Sequence, residues 1–391
     1  MAEFASLLQS YRTMLLDDII PFWTRHAIDP AGGLNCCIAD DGKLLSRDKW
    51  MWSQWRAVWV FAKLYNRIEK RKEWLDLALH IAEFCRKYAW DEGQQVWNLC
   101  VSGDGHILRG ADSIYSDAFA MYGLAELIHA TGAQWAKDLA RKTADSAIAR
   151  FAAKPHSQIP SWPYPVPENC KSHGLVMIFA LGFFELGTAL GEKRYLDMAR
   201  QYQEEIFRHF YRRDRDVILE RIAQDNTELP APEGTAIVPG HVIEDMWFQT
   251  HIARATGNRR IVHEACGLVQ RHLELGWDDE YGGIFLAVDA DGGADVAWGF
   301  AETKVWWPHT EALYATLLAY EVTGEKWALD WHQKVREYSL AHYPNPNGEW
   351  TQRLDRMGKP MTEFVALPVK DPFHLPRALI YCIDVLERLV D

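Results

Sequence analysis

The feature that most constrains this chain is a repeat. Short Gly- and Asp-rich segments with alternating apolar residues, the pattern of β-hairpins, interrupt long stretches of helical periodicity. Five stand out: DPAGGLNCCIADDGKLL, DEGQQVWNLCVSGDGHIL, DRDVILERIAQDNTEL, DDEYGGIFLAVDADGGA and NPNGEWTQRLDRMGKPM. Their markers, Asp29, Asp91, Asp214, Asp278 and Asn345, lie 62, 123, 64 and 67 residues apart, and 123 is close to two steps of 62. Between them, apolar residues recur with helical spacing. Phe4, Leu7, Leu8, Tyr11, Met14 and Leu15 follow the i, i+3, i+4, i+7 rule, which gathers them on one helix face. Similar stripes cover 55–64, 74–88, 117–130, 135–151, 175–190, 195–210, 242–255, 260–275, 311–322, 327–342 and 376–390, so about twelve helices are expected. A unit of roughly 65 residues, two helices and one hairpin, thus repeats about six times. Paired-helix repeats bury their stripes only on their neighbours, and six pairs can close on themselves. The expected fold is all-α: an α/α toroid with an inner and an outer ring and short β-hairpins at one end. No Pro/Ser-rich linker or low-complexity segment divides it, so residues 1–391 are read as a single domain.

Charge narrows the partners. The net charge is −12 and no basic cluster occurs, which argues against nucleic acid and anionic membrane. The seven cysteines are scattered, with no CxxC pair, as in a reduced, cytoplasmic protein. The N-terminal stretch reads as an amphipathic helix, not a signal peptide. No run of about 18 apolar residues is evident, so no membrane span is expected.

The repeat carries a ladder of polar residues. His173, His241, His309 and His374 are 68, 68 and 65 residues apart, each at or near the start of a helical run. Arg56 and Tyr115 extend the series backwards in steps of 59 and 58. A closed ring would set these six around one mouth. Each has a plainer reading. His241 and Glu244 share a helix face and could serve as a helix-start cap and a first-turn acid favoured by the dipole. His374 ahead of Pro376 could be structural, and Arg56 among Trp52, Trp55 and Trp59 could simply stack. A metal set of His241, Glu244 and His251 lacks the HExxH spacing, so no metal is expected. GxGxxG, P-loop and GxSxG motifs are missing from the sequence. Convergence favours chemistry. Imidazoles suit proton removal beside a carbonyl, an arginine suits the oxyanion that forms, and many of the 18 tryptophans could stack on a sugar face.

At these residues the sequence resembles the N-acylglucosamine 2-epimerase superfamily, which also holds cellobiose and mannose 2-epimerases and aldose–ketose isomerases. PGHVIEDMWF, KVWWPHTEAL and PFHLPRAL occur in that order, with WSQWRAVWVFAKLY and WDDEYGGIF before and between them. The resemblance spans nearly the whole chain. It implies an (α/α)6 barrel, with His241 and His374 as paired acid/base catalysts. Arg56 would hold the enediolate oxygens and Glu244 would pair with the first histidine. Tyr115, Trp307 and Glu311 would belong to the sugar-binding wall. Three departures bear on substrate, one of them the tail VALPVKDPFH, which replaces the family's glycine-rich pattern ahead of FHxPR. HSQIPSWPYPVPENCKSHG stands where N-acylglucosamine epimerases carry a Gly- and Lys-rich stretch linked to ATP activation, so no cofactor is expected. Asn169 followed by His173 resembles the isomerase and cellobiose epimerase branches, where that histidine is a third site imidazole. The expected activity is therefore epimerisation or isomerisation of a free hexose of the mannose/glucose type. N-acyl-D-glucosamine 2-epimerisation is the alternative, which WSQWRAVWVFAKLY and KVWWPHTEAL favour. Other classes are a glycoside hydrolase on the same toroid, needing paired carboxylates, and a non-catalytic sugar-binding toroid. The expected partner is a small sugar, and a homodimer is what the resemblance implies.

Overall fold

The computed structural model describes residues 2–361 and 369–390. Helix α1 (Ala2–Thr13) runs through a π-helical segment (Met14–Ile19) into α2 (Ile20–His26). Five helix pairs follow: α3 (Met51–Lys63) and α4 (Lys72–Tyr88), α5 (Tyr115–Thr131) and α6 (Gln134–Ala153), α7 (His173–Leu190) and α8 (Lys193–Glu205), α9 (Pro239–Ala255) and α10 (Arg259–Gly276), α11 (Trp306–Thr323) and α12 (Lys326–His342). The last helix is α13 (His374–Val390). Odd-numbered helices from α3 onward pack side by side into an inner ring, with α13 returning to α3. Their even-numbered partners lie outside, and α1 packs on α13. The first and last helices thus form the sixth pair and close the barrel that the repeat implied.

The two rings differ in sequence for a physical reason. Inner helices meet neighbours on nearly every side, so they are apolar almost all round. In α7 every residue from His173 to Phe183 is buried. That helix is long and apolar enough to cross a bilayer by composition, yet 72% of it is buried in the protein; its apolarity serves the inner ring. Outer helices are amphipathic: α10 buries Ile261, Val262, Ala265, Leu268, Val269 and Leu273 and turns its charged residues outward. Helices within a pair are joined by tight turns. Gly132, Gly191 and Gly324 end α5, α7 and α11 with φ near +65 to +70°, the left-handed C-cap that glycine adopts without strain.

The other connections carry the hairpins, all at the end where inner helices begin. Strands from successive units pair across the gaps: 49–50 with 100–101, 170–172 with 221–223, 236–237 with 288–289, and 304–305 with 353–354. Each such pair leads into an inner helix, which fixes where that helix starts. The step of 123 residues has a structural cause. After α6 the chain runs through an irregular segment, with a 3₁₀ turn at His156–Gln158 and a strand at Cys170–Ser172, so that unit has no hairpin of its own.

Candidate active site

All six inner helices point their N-termini at one cavity. The aligned peptide dipoles therefore bring partial positive charge to its floor, a setting that favours an anion formed there. Its lining includes Arg56, Tyr115, His241, Glu244, Trp307 and His374, with Trp52, Glu220, Arg221, Trp298 and Asp371.

His241 sits in the first turn of α9 and keeps 22% of its side chain exposed. Its Nδ1 lies 2.9 Å from Oε2 of Glu220, a buried residue next to the strand Arg221–Ala223. Burial pushes the Glu220 carboxyl up, but the neighbouring His241 and His173 outweigh it and hold the group well below the usual carboxylate range. An ionised Glu220 accepts the Nδ1 proton of His241 and leaves Nε2 for the cavity. The resemblance had paired His241 with Glu244. The structure pairs it with Glu220, because consecutive turns of one helix point the Glu244 carboxylate down the barrel, where Arg377 binds it.

His374 opens α13. Its Nδ1 lies 2.8 Å from Oε1 of Glu311, and burial drives its pKa well below the ordinary histidine value. A neutral ring that donates Nδ1–H to a carboxylate presents the Nε2 lone pair to the cavity, which is the form a general base needs. Glu311 itself is 1% exposed and does not line the cavity. It receives His374, Trp247 Nε1 at 2.9 Å and Arg377 at 2.8 Å. The expectation that Glu311 belongs to the sugar wall is thus replaced by a place behind His374.

Trp307 packs against both histidines. Its ring stacks on His241 at 5.3 Å and 29° and is tilted against His374 at 5.7 Å and 37°. Gly240 makes room for it: a Cβ there would stand 2.5 Å from the indole. Arg56, from the second turn of α3, lies over the rings of Phe119 at 4.1 Å and Phe373 at 4.8 Å, and its Nη1 is 3.3 Å from Asp371. Arg377 is fully buried behind the cavity between Glu244 and Glu311. Ligand atoms of Glu244, Glu311 and His374 come within 4.8 Å of one another, but the Arg377 guanidinium already supplies the cation for both carboxylates. His251 is elsewhere, 2.7 Å from Tyr314 Oη.

Two expected substrate contacts lie off the cavity wall. Asn169 is exposed and holds a left-handed turn, φ +59°, a conformation asparagine tolerates; its carbonyl accepts Gln224 N–H at 2.7 Å. His173 is fully buried, with Nε2 2.8 Å from Asp245. His309, the remaining rung of the ladder, is also buried off the cavity: Ile284 N–H donates to its Nε2 at 2.8 Å. Sequence reasoning missed Glu220, Asp371 and Trp298. Glu220 had a faint signal, an acid among apolar residues in VILERIA.

Comparison with known proteins agrees with this architecture. The family model for N-acylglucosamine 2-epimerase (GlcNAc 2-epimerase) matches residues 32–377. The N-acylglucosamine 2-epimerase of Mus musculus is 30% identical, over 96% of this chain and 91% of that protein. The cellobiose 2-epimerase of Dictyoglomus turgidum is 23% identical, over 96% and 97%. Among solved structures, cellobiose 2-epimerase from Bacillus thermoamylovorans superposes with a TM-score of 0.82 at 18% identity, covering 98% of this chain and 100% of that one. D-mannose isomerase superposes with a TM-score of 0.80 at 17% identity, covering 98% of each chain. The fold, the relatives and the two-histidine cavity define an isomerase-class (α/α)6-barrel enzyme that acts on carbohydrate. The chain belongs to the N-acylglucosamine 2-epimerase family.

Proposed function

We propose that this enzyme interconverts the C2 epimers of an N-acyl hexosamine, with His241 and His374 as the two proton-transfer groups. The observation that carries the mechanism is the matched state of the two imidazoles. Each has Nδ1 pinned by a buried carboxylate and Nε2 left to the same cavity. In the open-chain sugar one Nε2 takes the C2 proton. The C2–H electron pair moves into the C1–C2 bond, and the carbonyl electrons move to O1. The other imidazole returns a proton to C2 from the opposite face, the carbonyl reforms, and the configuration at C2 is inverted. Arg56 and the inner-helix N-termini stabilise the charge on O1; an oxyanion donor of this kind is worth ~10²–10³ in rate.

The choice of substrate rests on the whole-length likeness to N-acylglucosamine 2-epimerases, 30% identical against 23% for a cellobiose epimerase. The sequence argument for a free hexose leaned on Asn169 and His173, which lie off the cavity wall, on the segment 156–174, and on the tail VALPVKDPFH, of which 365–368 lie outside the described residues. An unsubstituted mannose/glucose-type sugar remains the second reading. The segment that departs from the N-acyl pattern supports it, since Tyr164, Pro165 and Val166 line the cavity. That segment has no glycine before Gly174, and its Lys171 is held by Glu205 and Asn226, each at 3.0 Å. These are poor parts for a phosphate cradle, so the proposed reaction needs no ATP. Hydrolysis is disfavoured by the pairing of the cavity acids: Glu220 with His241, Glu244 with Arg377, Asp371 with Arg56.

The test is incubation in D2O with N-acetylglucosamine, N-acetylmannosamine, glucose or mannose, with and without ATP, followed by NMR. The expected result is deuterium at C2 and the 2-epimer from the N-acetyl sugars, with no need for ATP. Exchange confined to glucose and mannose would replace the substrate assignment, and a ketose product would make the enzyme an isomerase. Release of a reducing end from a glycoside, without C2 exchange, would overturn the mechanism.

A further inference from the structure

We propose that His173 is a positioning residue: clamped between Asp245 and Glu220, it fixes the Glu220 carboxylate against His241 and sets the charge beside which His241 works. This rests on His241 being a proton-transfer group, and on nothing about which sugar is bound.

His173 is the first residue of α7, and its backbone N–H donates to the Glu220 carbonyl at 3.0 Å. The pairing of strand 170–172 with 221–223 sets this contact, since Ser172 lies opposite Arg221. The His173 side chain therefore reaches the same carboxyl group that holds His241. Its Nε2 is 2.8 Å from Asp245 Oδ2, and its Nδ1 is 3.9 Å from Glu220 Oε2. That Oε2 is the atom 2.9 Å from His241 Nδ1. Behind Asp245 the file continues, with Gln249 Nε2 donating to Asp245 Oδ1 at 2.6 Å and Gln203 Nε2 donating to Gln249 Oε1 at 3.0 Å. Side chains of α9, α7 and α8 are thereby tied to the hairpin acid at the cavity wall.

Charge explains why an imidazole stands here. Glu220 and Asp245 are both buried, and two buried anions side by side are costly without a cation. A neutral imidazole donates from one nitrogen only; an imidazolium donates from both. The His173 Nδ1 has no hydrogen-bond partner and is fully buried, which calls for an explanation. As an N–H facing Glu220 across 3.9 Å, it supplies the missing positive charge. The two carboxylates outweigh the burial that opposes a charged ring, and the His173 pKa is pushed up to about 9. The other groups facing this cluster do not replace it. Tyr115 stands beside Glu220, its phenol kept neutral by burial; His272 from α10 is held neutral by burial, its pKa down at about 4; Phe210 presents a ring at 5.8 Å.

The consequence has a sign. With the His173 cation in place, part of the Glu220 charge is neutralised. Without it, the full Glu220 charge faces the catalytic site. The acid limb of the pH–rate profile should then move to higher pH by about 0.5–1 unit. His173→Gln and Asp245→Asn, which respectively remove the cation and the group that keeps it charged, should both shift it in this direction with little change in KM. A merely structural histidine would lower thermal stability and leave the limb where it was. The measurement that needs no substrate is 15N NMR of the wild-type histidine rings, assigned with His173→Gln or, if that variant does not fold, through ring-to-backbone couplings. Two protonated nitrogens on His173 at pH 7 are expected. A neutral His173 ring at pH 7, or a limb unmoved in a folded variant, overturns the proposal. Failure of every sugar to react would leave the NMR result standing and would count against the catalytic reading alone.

Discussion

His374 Nδ1 is held 2.8 Å from Glu311 Oε1, and Glu311 is itself tied to Arg377 and Trp247 from two other inner helices. The carboxylate accepts a hydrogen bond and cannot donate one when ionised, so it selects the tautomer with the proton on Nδ1. Glu311→Gln keeps the shape but offers an amide donor, which stabilises the opposite tautomer and removes the base from Nε2. Turnover should fall by ~10²–10³, in the range of general-base catalysis, while KM changes little. Steady-state kinetics of the folded variant check this; an unchanged kcat would show that Glu311 does not control the His374 tautomer.

Trp307 packs against both His241 and His374, at ring distances of 5.3 and 5.7 Å, and lines the cavity beside them. Gly240, immediately before His241, leaves no space for a methyl group against that indole. Gly240→Ala should push the Trp307 ring into the cavity. Overpacking of this kind costs about 1–3 kcal/mol, which a barrel of this size survives. The expected outcome is a folded protein with kcat/KM reduced at least tenfold and altered tryptophan fluorescence. Wild-type kinetics in Gly240→Ala would show that Trp307 can shift without consequence.

Periodicity alone carried much of this architecture, because a repeat of helix pairs leaves few ways to bury twelve stripes. It located the mouth, since α3, α7, α9 and α11 each start just after a strand pair. It could not sort the rungs. His173 and His374 are the first residues of α7 and α13 and His309 the fourth of α11, and of the three only His374 reaches the cavity. His309 is turned to its own hairpin, where it accepts Ile284 N–H, and His173 is turned towards Asp245. Which way an imidazole points depends on partners about 25 and 70 residues away in the chain, beyond any local pattern. Glu220 escaped notice for the same reason: its importance comes from lying beside two histidines contributed by two other helices.

The histidines also divide the pH range of stability. His374, His309, His251, His272 and His332 are buried with pKa values pushed down, burial being the largest cause in each. The unfolded chain binds more protons than the folded one below about pH 6.5, so their contribution is present above that value and is lost as pH falls. His173 has the opposite sign: its folded value, about 9, lies above the unfolded one. Its contribution is full below about pH 6.5 and is lost as pH rises through 9. Thermal melts of wild type should show a maximum near neutrality with declines on both sides. In His173→Gln the alkaline decline between pH 6.5 and 9 should shrink, while the acid decline remains. An identical alkaline slope in the variant would count against a charged His173.

Arg56 is set by stacking as much as by charge. Its guanidinium lies over Phe119 and Phe373, and Asp371 anchors one nitrogen at 3.3 Å while also accepting Ser53 Oγ at 2.9 Å. A planar, delocalised cation fits between rings, and a lysine ammonium does not reproduce that fit. Arg56→Lys should therefore keep the charge and lose the geometry, lowering kcat by ~10²–10³ as loss of an oxyanion donor does. Asp371→Asn should have the smaller effect, about tenfold, because the rings still hold the guanidinium. The order of the two defects is the test. If Asp371→Asn proved as damaging as Arg56→Lys, the aspartate would have to act on the substrate or a proton itself, beyond aiming the arginine.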